Sequence, residues 1–225
     1  MDISDFGTFN ECYSLEAIHV GKGNPNYWDV GGVLYDMDRD KERLMFYPAG
    51  KKDSIYVVPS TVDEISDNAF YSVRNLKTVV MPDSIYTMGD YAYANSSIEK
   101  IYFKGVYCWG LHAFDGCKSL TDIYMLSPYT DGCDDETFGN LMNTATLHVP
   151  ASALDYYKTT YPFSEFKNIV PDSPEDFEVV TKIKNGEIDK LDQPRYYNLN
   201  GCRILKPGKG IIIEVKGNKI KKIVR

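Results

Sequence analysis

Apolar residues recur along this chain in short bursts, never in long runs. Four bursts share a Leu/Ile-x-x-Ile/Val-x-apolar pattern: "LEAIHV" at 15–20, "LKTVVM" at 76–81, "IEKIYF" at 98–103 and "LTDIYM" at 120–125. Alternation over a few residues marks a half-buried strand, because successive side chains point to opposite faces. The inward position steps from Val79 to Ile101 to Ile123, 22 residues each time. A worn unit, "ATLHVP" at 145–150, places Leu147 24 residues further on, and "IYVVP" at 55–59 sets Tyr56 in the same column.

The connections repeat as well. "PSTVDEISDNAF" at 59–70 aligns with "PDSIYTMGDYAY" at 82–93, while "LHAFDGC" at 111–117 keeps the Ala-aromatic pair and "ETFGN" at 136–140 a worn form of it. Each unit therefore reads as a strand, a Pro-led turn, a second extended stretch (Val62/Ile65, Ile85/Met88) and a brief helical turn. A unit of roughly 23 residues cannot bury both faces alone, but stacked copies form a continuous core. The pattern predicts a solenoid. Cys12 and Cys117 occupy the same position of the unit and are expected as buried thiols in a stacking column.

"AFDGCKSLTDIYM", "VPSTVDEISDNAF" and "MPDSIYTMGDYAY" resemble the BspA-type leucine-rich repeats of bacterial surface proteins. The irregular stretch 23–59 is similar to a hairpin insertion of Bacteroidetes members, and "TLHVPASALDYYKTTYPFSEFKNIV" at 146–170 resembles the family's closing segment. The resemblance covers about residues 1–171. It implies an α/β leucine-rich-repeat solenoid of mostly short β-strands with brief helical turns, a hairpin insertion at about 23–54 and a cap at 150–170. It also implies export, anchoring at the cell surface and non-catalytic binding of host or bacterial proteins. Tyr93 departs from the usual Phe, and the irregular 126–144 is expected to bulge.

A solenoid must cover its terminal apolar face. Leu154–Lys158 after Pro150 reads as a short helix, with Phe163, Phe166 and Ile169 packing over the last rung. Residues 172–194 read as a linker. Residues 195–225 read as a small all-β module, its strand patterns split at Asn200-Gly201, Pro207–Gly210 and Gly217-Asn218. That tail resembles the C-terminal sorting domains of Bacteroidetes proteins exported by type IX secretion.

Charge refines the picture. The net charge of −7 splits into 13 Lys+Arg against 28 Asp+Glu over residues 1–181 and 12 against 4 over 182–225. The acidic body argues against nucleic acid, and the lysines of "KGNKIKKIVR" alternate with Ile and Val as in a half-exposed strand. The chain carries no run of 18 apolar residues to span a membrane and no signal-peptide pattern at its N-terminus.

Catalysis finds no foothold. His19, His112 and His148 lie far apart, and the five cysteines form no CxxC. "DMDRDKE" at 36–42 begins like a calcium loop, but Lys41 stands at the Gly position and Tyr47 at the Glu position. "DGCDDE" at 131–136 reads as an exposed acidic loop. No enzyme activity, metal or cofactor is expected.

Alternation also predicts a surface. If Val79, Ile101, Ile123 and Leu147 point inward, the next residues point out, giving a column His19, Val57, Val80, Tyr102, Tyr124, His148, flanked by Lys100 and Asp122. With 18 tyrosines in the chain, such a stripe is expected to dock a surface protein or glycan, since Tyr gives large contact area with a polar tip. The expected function is an exported surface binding or adhesion protein. The alternative is a structural spacer without a ligand of its own.

Overall fold

The repeated strands pair unit on unit, and each unit contributes to two sheets. The computed structural model describes residues 8–130 and 133–172, together with the strand backbones 195–197, 203–204, 211–216 and 219–224. The first sheet begins with β1 (Tyr27–Val30), β2 (Val33–Asp38) and β3 (Lys41–Phe46), an antiparallel meander. It continues in parallel through β5 (Val62–Ile65), β7 (Thr87–Met88) and β9 (Cys108–Trp109). The second sheet is parallel throughout: β4 (Ile55–Val57), β6 (Thr78–Met81), β8 (Lys100–Phe103), β10 (Asp122–Met125), β11 (Thr146–Pro150) and β12 (Asn168–Asp172). The fold is the solenoid that the spacing predicts, of the leucine-rich-repeat kind that the resemblance implies.

In-register pairing turns sequence columns into packed columns. Val79, Ile101, Ile123 and Leu147 align across β6, β8, β10 and β11 and are fully buried. Beside them the rings of Tyr47, Phe70, Tyr93, Phe114 and Phe138 stack at centroid spacings of 5.2, 4.7, 5.5 and 5.6 Å. Rings can follow one another this closely because Asn68, Tyr91 and His112, just before each Ala-aromatic pair, adopt left-handed φ near 57°, 55° and 55° and turn the chain sharply. Tyr93 is accommodated in its Phe position because its hydroxyl donates to Met81 Sδ at 3.1 Å.

Several expectations change. The hairpin is present, its turn made by Arg39 and Asp40 at φ 50° and 66°. Its last strand, however, pairs in parallel with β5, and Tyr47 joins the aromatic stack. β3 is thus a rung of the solenoid and not a mere insertion. Conversely, "LEAIHV" at 15–20 forms no strand: Ile18 N–H donates to the Gly32 carbonyl and Gly50 N–H to that of Leu15, both at 2.9 Å. Cys12, in this unladdered unit, is exposed, and only Cys117 is the expected buried thiol. Cys117 meets Ser96 and donates to the Tyr93 carbonyl at 2.9 Å.

The irregular segment after β10 folds into two single helical turns, α1 (Asp135–Phe138) and α2 (Leu141–Thr144). The cap contains α3 (Leu154–Thr159), and Phe163 and Phe166 pack edge-on against Phe138. Ile169 instead enters β12 and pairs with Leu147, so the closing segment adds one more rung.

Two compact units divide the chain at 180/181. In the second, β13 (Arg195–Tyr197), β14 (Arg203–Ile204), β15 (Ile211–Lys216) and β16 (Lys219–Val224) form an antiparallel sheet of order β14-β13-β15-β16. β13 pairs antiparallel with β14, and β15 with β16, on either side of 200–201 and 217–218, while β15 also pairs with β13. Of the linker expected at 172–194, Asp172 ends β12 and 173–194 lie outside the described residues, as do the side chains on which a sorting tag would depend.

Candidate functional site

The predicted column is real as a register. Val57, Val80, Tyr102, Tyr124 and His148 align across β4, β6, β8, β10 and β11, and Val170 of β12 extends them. The rings of Tyr102 and Tyr124 stack at 4.2 Å and those of Tyr124 and His148 at 4.1 Å. It is not an open stripe: Val80 is 2% and Tyr102 9% exposed, with Val57, Tyr124 and His148 half-buried. Parallel strands set equivalent residues about 4.8 Å apart, so flat side chains in one column cover each other's faces. His19 stands apart from the ladder because its unit is unpaired, and its Nδ1 lies 3.4 Å from Asp29.

One end of the column is tied by charge. His148 Nε2 is 3.0 Å from Asp122 Oδ1, and Nδ1 is 3.0 Å from Asp172 Oδ2, so a single imidazole links β10, β11 and β12. Burial opposes charge on Asp122, but hydrogen bonds from Thr121 and His148 and the charge of Lys100 outweigh it and hold the carboxyl below its usual range. A depressed folded-state pKa contributes stability above the unfolded value and loses it as pH falls through the folded one. Asp122→Asn is therefore expected to flatten the fall of melting temperature below about pH 4, as read by thermal melts across pH. An unaltered slope would show that the Asp122 charge adds nothing.

The other sheet carries side chains that alternation alone did not single out. Tyr86 and Tyr107 are 49% and 59% exposed; Tyr129, 68% exposed, follows β10 and packs edge-on against Tyr156 of the cap at 5.2 Å. Tyr86 N–H donates to the Asp63 carbonyl at 2.7 Å and Tyr107 N–H to that of Tyr86 at 3.3 Å, which sets the two tyrosines on adjacent rungs. Their rings lie 5.8 Å apart, and Lys41 Nζ sits 4.5 Å from the Tyr86 centroid. Exposed Tyr91 stacks on His112 at 5.1 Å. The signal was present in the sequence. With Ile85 and Met88 both inward, the two residues between them must face out.

Metal chemistry gains no support among the described residues, where no group of three or more His, Cys, Asp or Glu could hold an ion. Asp36 of "DMDRDKE" is taken by a two-pronged pair with Arg43 at 2.9 and 2.6 Å. In "DGCDDE", Asp134 accepts from Glu136 N–H and starts α1.

A profile of the BspA type leucine-rich repeat region matches residues 45–169 in six copies. The chain belongs to this family. The BspA-type match begins inside β3 and ends inside β12, the same two strands that the pairing promotes to rungs, and it leaves "LEAIHV" outside. Among solved structures, a leucine-rich cell surface protein from Faecalibacterium prausnitzii A2-165 is similar at 24% identity and TM-score 0.56, over 78% of this chain and 47% of that one. A leucine-rich repeat protein from Eubacterium ventriosum ATCC 27560 is similar at 18% identity and TM-score 0.42, over 78% of this chain and 57% of that one. The first likeness shows a shared leucine-rich-repeat fold. The chain spans about half the length of that protein. No curated protein matches it.

Proposed function

We propose that this BspA-type chain is a non-catalytic binding module displayed at a bacterial cell surface, docking a surface protein or glycan of host or bacterium through its exposed tyrosines. The carrying observation is the pair Tyr86 and Tyr107, large side chains kept in water on adjacent rungs with their rings 5.8 Å apart, while the tyrosines of the aromatic column are buried. Keeping such area exposed has a use when a partner covers it, and aromatic anchors dominate protein interfaces. Surface display is supported by family membership and by the F. prausnitzii relative's description as a cell surface protein. The half-open Tyr124 and His148, with Lys100 and Asp122 beside them, form a second patch on the other sheet, tied by His148 to Asp122 and Asp172.

The test is a panel of extracellular-matrix proteins and glycans probed with the full chain and with the double variant Tyr86→Ser/Tyr107→Ser. The variant is expected to bind the retained ligand at least roughly tenfold more weakly, as loss of aromatic anchors does. Equal binding would remove the tyrosine face from the function. A panel that retains nothing would favour a spacer.

A further inference from the structure

We infer that the tyrosine face of β5, β7 and β9 takes a cationic polypeptide segment, rich in Lys or Arg; this rests on reading that face as the docking surface. The first ground is charge. The stretches 62–68, 85–91 and 106–112, which carry β5, β7 and β9, hold the four carboxylates Asp63, Glu64, Asp67 and Asp90 and no Lys or Arg. Glu64 is paired with Lys41 of β3, but Asp67 and Asp90 are anchored without being neutralised. Asp67 Oδ1 accepts from Asp90 N–H at 2.8 Å and Asp90 Oδ1 from Leu111 N–H at 2.7 Å. Each bond engages one oxygen with a neutral donor and leaves the negative charge in place.

The second ground is a contact the molecule already makes. Lys41 reaches across from β3 to lie 3.0 Å from Glu64 Oε1 and 4.5 Å from the Tyr86 centroid. Carboxylate and ring thus share one ammonium, the pairing that a basic partner would repeat along the face. Ring quadrupoles attract such cations more strongly as water is excluded.

The contacts of Tyr86 argue against a glycan there. Tyr107 stacks on Tyr86 with 27° between their planes, and Lys41 Nζ lies over the Tyr86 ring, so that ring is already covered by an aromatic and a cation. A Lys or Arg head group fits over a ring beside a carboxylate, as that of Lys41 does over Tyr86 beside Glu64. A pyranose needs a ring face laid open.

The experiment measures fluorescence anisotropy of labelled decalysine, decaglutamate and cellohexaose with the full chain at low and at roughly physiological salt. Decalysine alone is expected to bind, more weakly as salt rises. Tyr86→Ser/Tyr107→Ser, which changes no charge, is expected to weaken it about tenfold. Glu99→Gln, at the entry to β8 in the other sheet, is expected to leave it within about twofold. Melting temperatures verify folding; should the double variant melt early, Tyr107→Ser alone carries the test. Equal decalysine binding by wild type and tyrosine variant overturns the inference, as does an equal loss with Glu99→Gln. Cellohexaose bound, lost in the tyrosine variant and accompanied by no decalysine binding would overturn the cationic partner while leaving the docking face standing.

Discussion

Gly110→Ala is expected to destabilise the solenoid by about 3 kcal/mol or more, at the upper end for overpacking. The reason is space, because Gly110 is not among the residues with positive φ. A Cβ built on Gly110 falls well inside contact distance of the Gly89 carbonyl and of Asp90 N, and one built on Gly89 meets Asp67 N and Ser66 C in the same way. All are backbone atoms that cannot swing aside. The rungs approach this closely where Asp67 and Asp90 reach forward to accept from the next rung's N–H groups. A methyl group there must lift one rung off its neighbour. That lengthens the bonds from Tyr91 N–H to the Leu111 carbonyl and from Tyr93 N–H to that of Ala113, at 3.0 and 2.8 Å. Gly21, with nothing within 4 Å of its added Cβ, is the control and should tolerate Ala within about 0.5 kcal/mol. Urea melts of the two variants decide it; equal midpoints would refute the steric account.

The repeat was legible wherever one unit sits on another. Val79, Ile101, Ile123 and Leu147 could be aligned from spacing alone because identical environments demand similar side chains at each step. Legibility failed at the ends, where a unit has a different neighbour. "LEAIHV" carries the full signature, yet its Ile18 bonds to Gly32 of the hairpin and it forms no strand. "RLMFYPAG" at 43–50 lacks the signature, yet supplies a rung, because Leu44 meets Ile65 and Tyr47 meets Phe70.

The candidate surface was legible by direction and not by exposure. Alternation correctly aligned Val80, Tyr102, Tyr124 and His148, but a strand pattern says nothing of rings closing over one another across rungs. On the other sheet two residues separate the inward Ile85 and Met88, so strict alternation breaks there and Tyr86 escapes a period-two reading.

Phe114→Ala is expected to cost about 3–5 kcal/mol, the range for a large buried aromatic. Phe114 is 1% exposed, with Tyr93 on one face at 5.5 Å, Phe138 on the other at 5.6 Å and Phe103 edge-on at 6.2 Å. No single neighbour can fill the gap, because Tyr93 is held by Phe70 on its far side, Phe138 by Phe163 and Phe166, and Phe103 by Trp109. Phe114→Tyr separates volume from polarity. At Tyr93 the hydroxyl meets Met81 Sδ, but in register with Met81 on the next strand stands Phe103, a ring that accepts poorly. Phe114→Tyr should therefore cost about 1–3 kcal/mol for an unsatisfied hydroxyl, and Tyr93→Phe about 1 kcal/mol or less. Because stability in a solenoid is carried by nearest-neighbour interfaces, loss at Phe114 should also loosen the coupling between the units on either side. The chain's two tryptophans report on them separately: Trp28 stacks on Tyr35 in the hairpin, while Trp109 packs on Phe103 and Phe138. Urea unfolding of Phe114→Ala, followed in Trp28→Phe and Trp109→Phe backgrounds, should show the Trp109 signal moving before that of Trp28. Coincident transitions at the wild-type midpoint would mean that the aromatic column does not hold the rungs together.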